Sequence, residues 1–314
     1  MAHSSVIISA AARSRQSAER AHRIRVWIAG MAALIFCVAI GAYGFDYYRL
    51  PRELRPFSDK HELLRPSGQI GINLGILGTA LFCIIFLYAF RKIIPWLGRI
   101  GTAKHWMDFH IICGISAPII IAYHASFKFN NIAGVAFWIM LAVAISGIAG
   151  RYLYAQIPQS LSAAKTSFQE LQANEDQLAE ALKQQSVFSE EKIARIFAMP
   201  TAEKVRKSST MGALGTMILL DLRRPFQIAA LRRQASTLAQ YIYSFGGLFS
   251  TGNPRIENIV KLVRKKASLS KRILFLDRAE RVFHLWHVVH RPFSYAFAVL
   301  AVIHIVNSVR LGYF

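Results

Sequence analysis

Five stretches of this 314-residue chain are each apolar for about twenty residues, near 24–45, 70–90, 106–127, 133–154 and 285–309. A hydrocarbon core about 30 Å thick is crossed by roughly 20 helical residues at about 1.5 Å rise each. Backbone polar groups in lipid find no water, so only a helix or a closed barrel satisfies them, and runs of this length and continuity predict helices. The expected fold class is therefore all-α: a transmembrane bundle of about five spans. Residues 1–154 comprise an N-terminal tail and spans one to four, 155–283 a basic helical insertion, and 284–314 span five.

Charge assigns an orientation. The chain carries 38 Lys and Arg against 17 Asp and Glu, an excess that a hydrocarbon core cannot hold and that must collect in loops. Arg13, Arg15, Arg20, Arg23 and Arg25 precede span one against the single acid Glu19, which places the N-terminus in the cytoplasm. Arg91, Lys92, Arg99 and Lys104 follow span two with no acid, and only Lys128 follows span three. The first outer loop is less clean, with Arg49, Arg52, Arg55, Lys60 and Arg65 beside Asp46, Glu53, Asp59 and Glu62. The C-terminus is expected outside, in a bacterial-type inner membrane.

The insertion divides by charge. Residues 160–203 are mildly acidic, with Phe168, Leu171, Leu178 and Leu182 at helical spacing. From Lys204 to Arg281 there are 16 bases against four acids, which suits a cytoplasmic face near anionic lipid or an acidic redox partner. Nucleic acid is not expected, since the basic runs lie between spans and lack interleaved aromatics. The apolar segments 211–220 and 238–249 are too short to span and read as core or interfacial helices. Cys37, Cys83 and Cys113 each lie in an apolar run, so no disulfide framework is expected, and the absence of Cys-x-x-Cys-His excludes c-type attachment of haem.

An ionisable residue inside a membrane is costly, so an intramembrane histidine is read as functional. Span three holds His110 and His124, and span five holds His290 and His304. Each pair is 14 residues apart, which at about 100° per residue returns to within about 40° of one face, about 21 Å along the axis. Two odd-numbered spans run parallel, so His110 is expected to face His290 and His124 to face His304. Two imidazoles approaching from opposite sides suit the iron of a haem, whereas zinc wants four ligands, or three plus water, which nothing at matching depth completes. Structural histidines in a transporter or scaffold are the plainer alternative. His287 is about 100° off the face of His304 and reads as an interfacial contact, as does His105; His61, His3 and His22 read as solvated. Gly114, one turn after His110, leaves room for a macrocycle, as do Gly147, Gly150 and the stripe Gly71, Gly75 and Gly78, although helix packing uses glycine the same way. Arg151, Arg281 and Arg291 could meet haem propionates or serve only as positive-inside anchors.

The two histidine pairs on two parallel helices separated by one span resemble those of the diheme b-type cytochromes, a group including cytochrome b of quinol-oxidising complexes and the ferric-reductase-like transmembrane family. The resemblance covers roughly spans two to five. It implies two non-covalent, bis-histidine haem b groups relaying electrons across the bilayer, with quinone as a further candidate ligand. Unlike the NADPH-oxidising members of that group, the chain is expected to carry no flavin or nucleotide domain, since its insertion has no Gly-x-Gly-x-x-Gly on a strand-to-helix turn. Partners are then expected in other chains, a multihaem cytochrome c or an iron–sulfur or flavin protein being the matching classes. Direct quinol oxidation or metal reduction at a membrane-edge site is the second enzymatic alternative.

Overall fold

A computed structural model describes residues 2–91, 93–157, 199–235 and 244–313, and every regular element among them is helical. The five apolar runs form helices long enough to cross a bilayer: α1 (Ala2–Tyr43), α2 (Gln69–Phe90), α3 (Ala103–His124), α4 (Asn131–Gln156) and α7 (Leu276–Arg310). Large apolar side chains stand exposed along them, such as Trp27 at 72%, Ile28 at 63% and Ile145 at 60%. Such a surface would aggregate in water and is at rest only against lipid. The chain is a multi-pass membrane protein.

The helices separate into two compact units, one of residues 1–149 with 288–314 and the other of 150–287. In the first, α1, α2 and α3 meet through Cys37, Leu74 and Ile120, with Tyr123 and Leu77 alongside. Ala122, Phe137, Met140 and Phe297 form a second core where α3, α4 and α7 come together. The small-residue stripe of α2 permits the close approach of α3: a methyl at Gly78 would run into the Ile121 side chain, and one at Gly75 would lie 2.8 Å from Cε1 of His124.

The N-terminal tail is helical and continuous with the first span. Helix α1 is 42 residues long and begins at Ala2, because the Ala-, Ser- and Arg-containing arm has no Gly or Pro before Gly30 to stop a helix that the span has already nucleated. Its basic residues continue the span rather than trail from it, and Glu19 pairs with Lys104 of α3.

The connection between α1 and α2 is bolted to the end of α3. Arg55 is buried, 6% exposed, and donates from Nη1 to the Ser126 carbonyl at 2.5 Å, from Nη2 to Tyr48 O at 3.0 Å and from Nε to Leu50 O at 3.1 Å. Ser126 returns a hydroxyl bond to Leu64 O at 2.7 Å. Ser126 and Phe127 take positive φ, 47° and 57°, which reverses the chain right after His124. One base of the ambiguous loop is thus committed to carbonyls and says little about topology.

In the second unit, residues 211–220 are helical, as expected, and belong to a longer helix that is not a candidate span. They open α5 (Thr210–Ala235), a 26-residue helix that continues through Pro225. Helix α6 (Pro254–Leu274) buries Ile256, Val260, Val263 and Ala267 at helical spacing and exposes Lys261, Arg264 and Lys265. Between these two helices Asp221 takes both Lys271 Nζ bonds, at 2.6 and 2.5 Å, and the Tyr152 hydroxyl at 2.8 Å. Burial pushes Lys271 and Arg224 below their ordinary basic pKa values although Asp221 faces both. The amphipathic segment expected around Phe168–Leu182 and residues 238–243 lie outside the described residues; 244–250 form a tight turn rather than a helix.

Candidate cofactor site in the membrane helices

Helices α3 and α7 run unbroken through both members of their histidine pairs, past Pro118 and Pro292 respectively. The 14-residue arithmetic therefore operates on continuous helices. His124 and His304 are brought into ring contact, with centroids 6.3 Å apart and planes at 71°. Two imidazoles on opposite sides of one metal ion stand with ring centres about 6 Å apart, given bonds of about 2 Å. An ordinary edge-to-face ring pair falls in the same range, so the distinguishing feature is what the other ring atom does.

Nδ1 of His124 lies 2.7 Å from the Gly71 carbonyl of α2. A carbonyl can only accept, so Nδ1 carries the proton and Nε2 carries the lone pair. His110 follows the same rule with Nδ1 3.3 Å from Ile85 O, also on α2, and Tyr88 stacks at a tilt 5.5 Å away. In α4 the Ser146 hydroxyl donates to Val143 O at 2.8 Å and so accepts from Nδ1 of His290 at 2.7 Å. A metal-ligating histidine is commonly held in this way, its second nitrogen donating to a carbonyl or hydroxyl that fixes tautomer and ring orientation. His290 and His304 share a further device: Ser294 and Ser308, one turn on, donate to their main-chain carbonyls at 2.7 and 2.8 Å.

Gly114 opens onto free space, since a methyl there would meet nothing within 4 Å, whereas a methyl on Gly147 would stand 3.8 Å from Cε1 of His290. Gly150 serves packing, its open side filled by the Trp286 ring. Arg281 and Arg291 are exposed and Arg151 is half-buried. His287 bonds its own-turn carbonyl, Phe283 O, at 3.2 Å and packs against the Phe283 and Trp286 rings. Among the described residues no three His, Cys, Asp or Glu side chains converge to hold a metal.

Two histidines are not where the sequence suggested. His22, expected in solvent, is 2% exposed: its Nε2 lies 3.1 Å from Asp108 Oδ2, and its ring stacks on His105 at 3.6 Å. The cause is the unbroken α1, which carries residue 22 alongside the first turns of α3. His61 is half-buried and meets the Tyr47 hydroxyl at 3.3 Å. Sequence reasoning also passed over Ser146 and Asp108. Each had a usable signal, a hydroxyl or acid within an otherwise apolar run, as did the His-x-x-x-Ser repeat spaced 14 residues apart in span five. No family model, curated protein or solved structure matches the chain.

Proposed function

We propose that the chain is a membrane diheme cytochrome b subunit that relays electrons across the bilayer between a partner protein or quinone and an acceptor on the outer face. His110 with His290, and His124 with His304, are the pairs that would hold the two haems. The observation that carries this is the approach of His124 and His304 from two different helices, with Nδ1 of His124 held on the Gly71 carbonyl.

A haem b held at each pair would supply one-electron redox chemistry. The chain's own part is to present Nε2 lone pairs, to keep the rings oriented through Gly71, Ile85 and Ser146, and to leave a wall open at Gly114. Arg291, next to His290 on α7, is the cation proposed to meet a propionate. The inner membrane, a cytoplasmic N-terminus and an outside C-terminus belong to the same proposal. So do redox partners in a larger complex, of the multihaem cytochrome c or iron–sulfur/flavin class.

The test is the haem count of the purified full-length protein and its loss in variants. The parent should release two acid-extractable haems per chain. His124→Ala and His304→Ala should show the same spectral loss, and His110→Ala and His290→Ala the complementary one. A haem-free protein, a single haem, or matching of His124→Ala with His290→Ala would sink the proposal.

A further inference from the structure

Helix α5 is apolar on two opposite faces, and among the described residues only one of them is used for packing. Ala213, Met217, Ile228 and Leu231 are buried against the second unit. Roughly 150° around the helix, by about 100° per residue, Met211, Ile218, Leu222 and Phe226 form a stripe exposed by 74, 39, 63 and 69%. The helix contains Asp221, Arg223, Arg224, Arg232 and Arg233, so it is not a candidate span and would lie along a surface rather than cross it.

A turn extends this stripe. Arg233, exposed on the same line of α5, donates to Gly246 O at 2.8 Å, and buried Arg232 donates to Gly247 O and Leu248 O at 3.1 Å each. Gly247 packs so tightly that a methyl would stand 2.5 Å from Ala229 O. Phe245 is held at φ 49°, a conformation costly for an aromatic residue. The outcome is that Phe245 and Phe249 project outward, 76 and 65% exposed, as an apolar tip.

The geometry points to a membrane-surface docking site on the second unit, formed by the α5 stripe and the Phe245/Phe249 tip, with anionic phospholipid as its occupant. The charge around it has the required sign: 16 bases against four acids between residues 204 and 281. Arg223 and Arg233 are exposed beside the apolar residues, the pairing of cations with apolar insertion that interfacial helices use. The unit is also joined to membrane helices at both ends, through α4 and α7. A lipid surface is therefore always within tether range, at an effective concentration that no free partner matches.

The experiment places a nitroxide at Leu222→Cys, Phe226→Cys or Phe249→Cys in the full-length chain, with Cys37, Cys83 and Cys113 replaced. The protein is reconstituted in nanodiscs of phosphatidylcholine with or without phosphatidylglycerol. With the anionic lipid, the ratio of oxygen to water-soluble nickel collisions should be roughly tenfold above that of a label at exposed Asn258, matching an apolar face sunk about 5–10 Å into the interface. Phe226→Glu should lower the ratio read at position 249. Labels open to the nickel reagent overturn the proposal, as do labels shielded from both reagents, which mark a protein partner or a second copy. A ratio indifferent to lipid charge overturns the anionic requirement.

Discussion

Replacing Gly75 with Ala tests whether the small-residue stripe of α2 serves His124 or only helix packing. The added methyl would stand 2.8 Å from Cε1 and 2.9 Å from Nδ1 of His124. Carbon atoms rest at about 3.5 Å or more, so the ring must retreat by about 0.7 Å. It cannot do so freely, because Nδ1 is held 2.7 Å from the Gly71 carbonyl, and that retreat stretches the bond beyond the useful range. Losing it costs about 1 kcal/mol, while Gly to Ala within a helix returns roughly 0.5–1 kcal/mol. Global stability should therefore stay within about 1 kcal/mol of the parent, and the damage should appear at the site. Loss of an orienting contact to a metal ligand typically weakens retention about 10–100-fold. On the proposed diheme reading, the assay is transfer of haem from the purified protein to excess apomyoglobin: one of the two proposed haems should leave faster by that factor. Gly114→Ala, whose methyl meets nothing of the protein within 4 Å, should leave the His124/His304 site unchanged. Retention of both haems at the parental rate in Gly75→Ala would refute the reasoning. So would a loss of global stability of about 3 kcal/mol or more, which would mean that the backbone gave way instead of the ring.

Ser146→Ala removes the acceptor of the His290 Nδ1–H bond and should weaken haem retention at the complementary site about 10–100-fold, with Ser146→Thr restoring it in the same transfer assay. Asp221→Asn strands Lys271, whose side chain is 3% exposed against 28% for Asp221. It should destabilise the second unit by about 3 kcal/mol, read as roughly 100-fold faster amide exchange in α6, and Asp221→Leu with Lys271→Met should cost less than Asp221→Asn alone. Burial would raise the Glu257 carboxyl pKa, but bonds from Arg232 and Thr251 outweigh it and hold the group below the ordinary value. A depressed carboxylate contributes stability that is present above the unfolded pKa and lost as pH falls through the folded one. Thr251 amide protection should accordingly decline below about pH 4, and Glu257→Gln should flatten that dependence.

How much of this was legible in the chain follows from which forces are local. Span number and helical class come from hydrophobic transfer over about twenty consecutive residues, and the two histidine pairs come from a period of 3.6 residues; both operate within one helix. Neither says which neighbour a helix meets. His290 reaches Ser146 across 144 residues of sequence, His22 reaches Asp108 across 86, Arg55 reaches Ser126 across 71, and His124 reaches the Gly71 carbonyl across 53. The partner in two of these is a backbone carbonyl, present at every position and invisible in any motif. A helix's periodicity sets the azimuth and depth of a side chain on its own axis, while its bond partner is set by how the helices pack. Thus His22 looked like a solvated tail residue until α1 was seen to continue past the span, and whether Gly75 served a macrocycle or helix packing stayed open until α2 was set against the His124 ring.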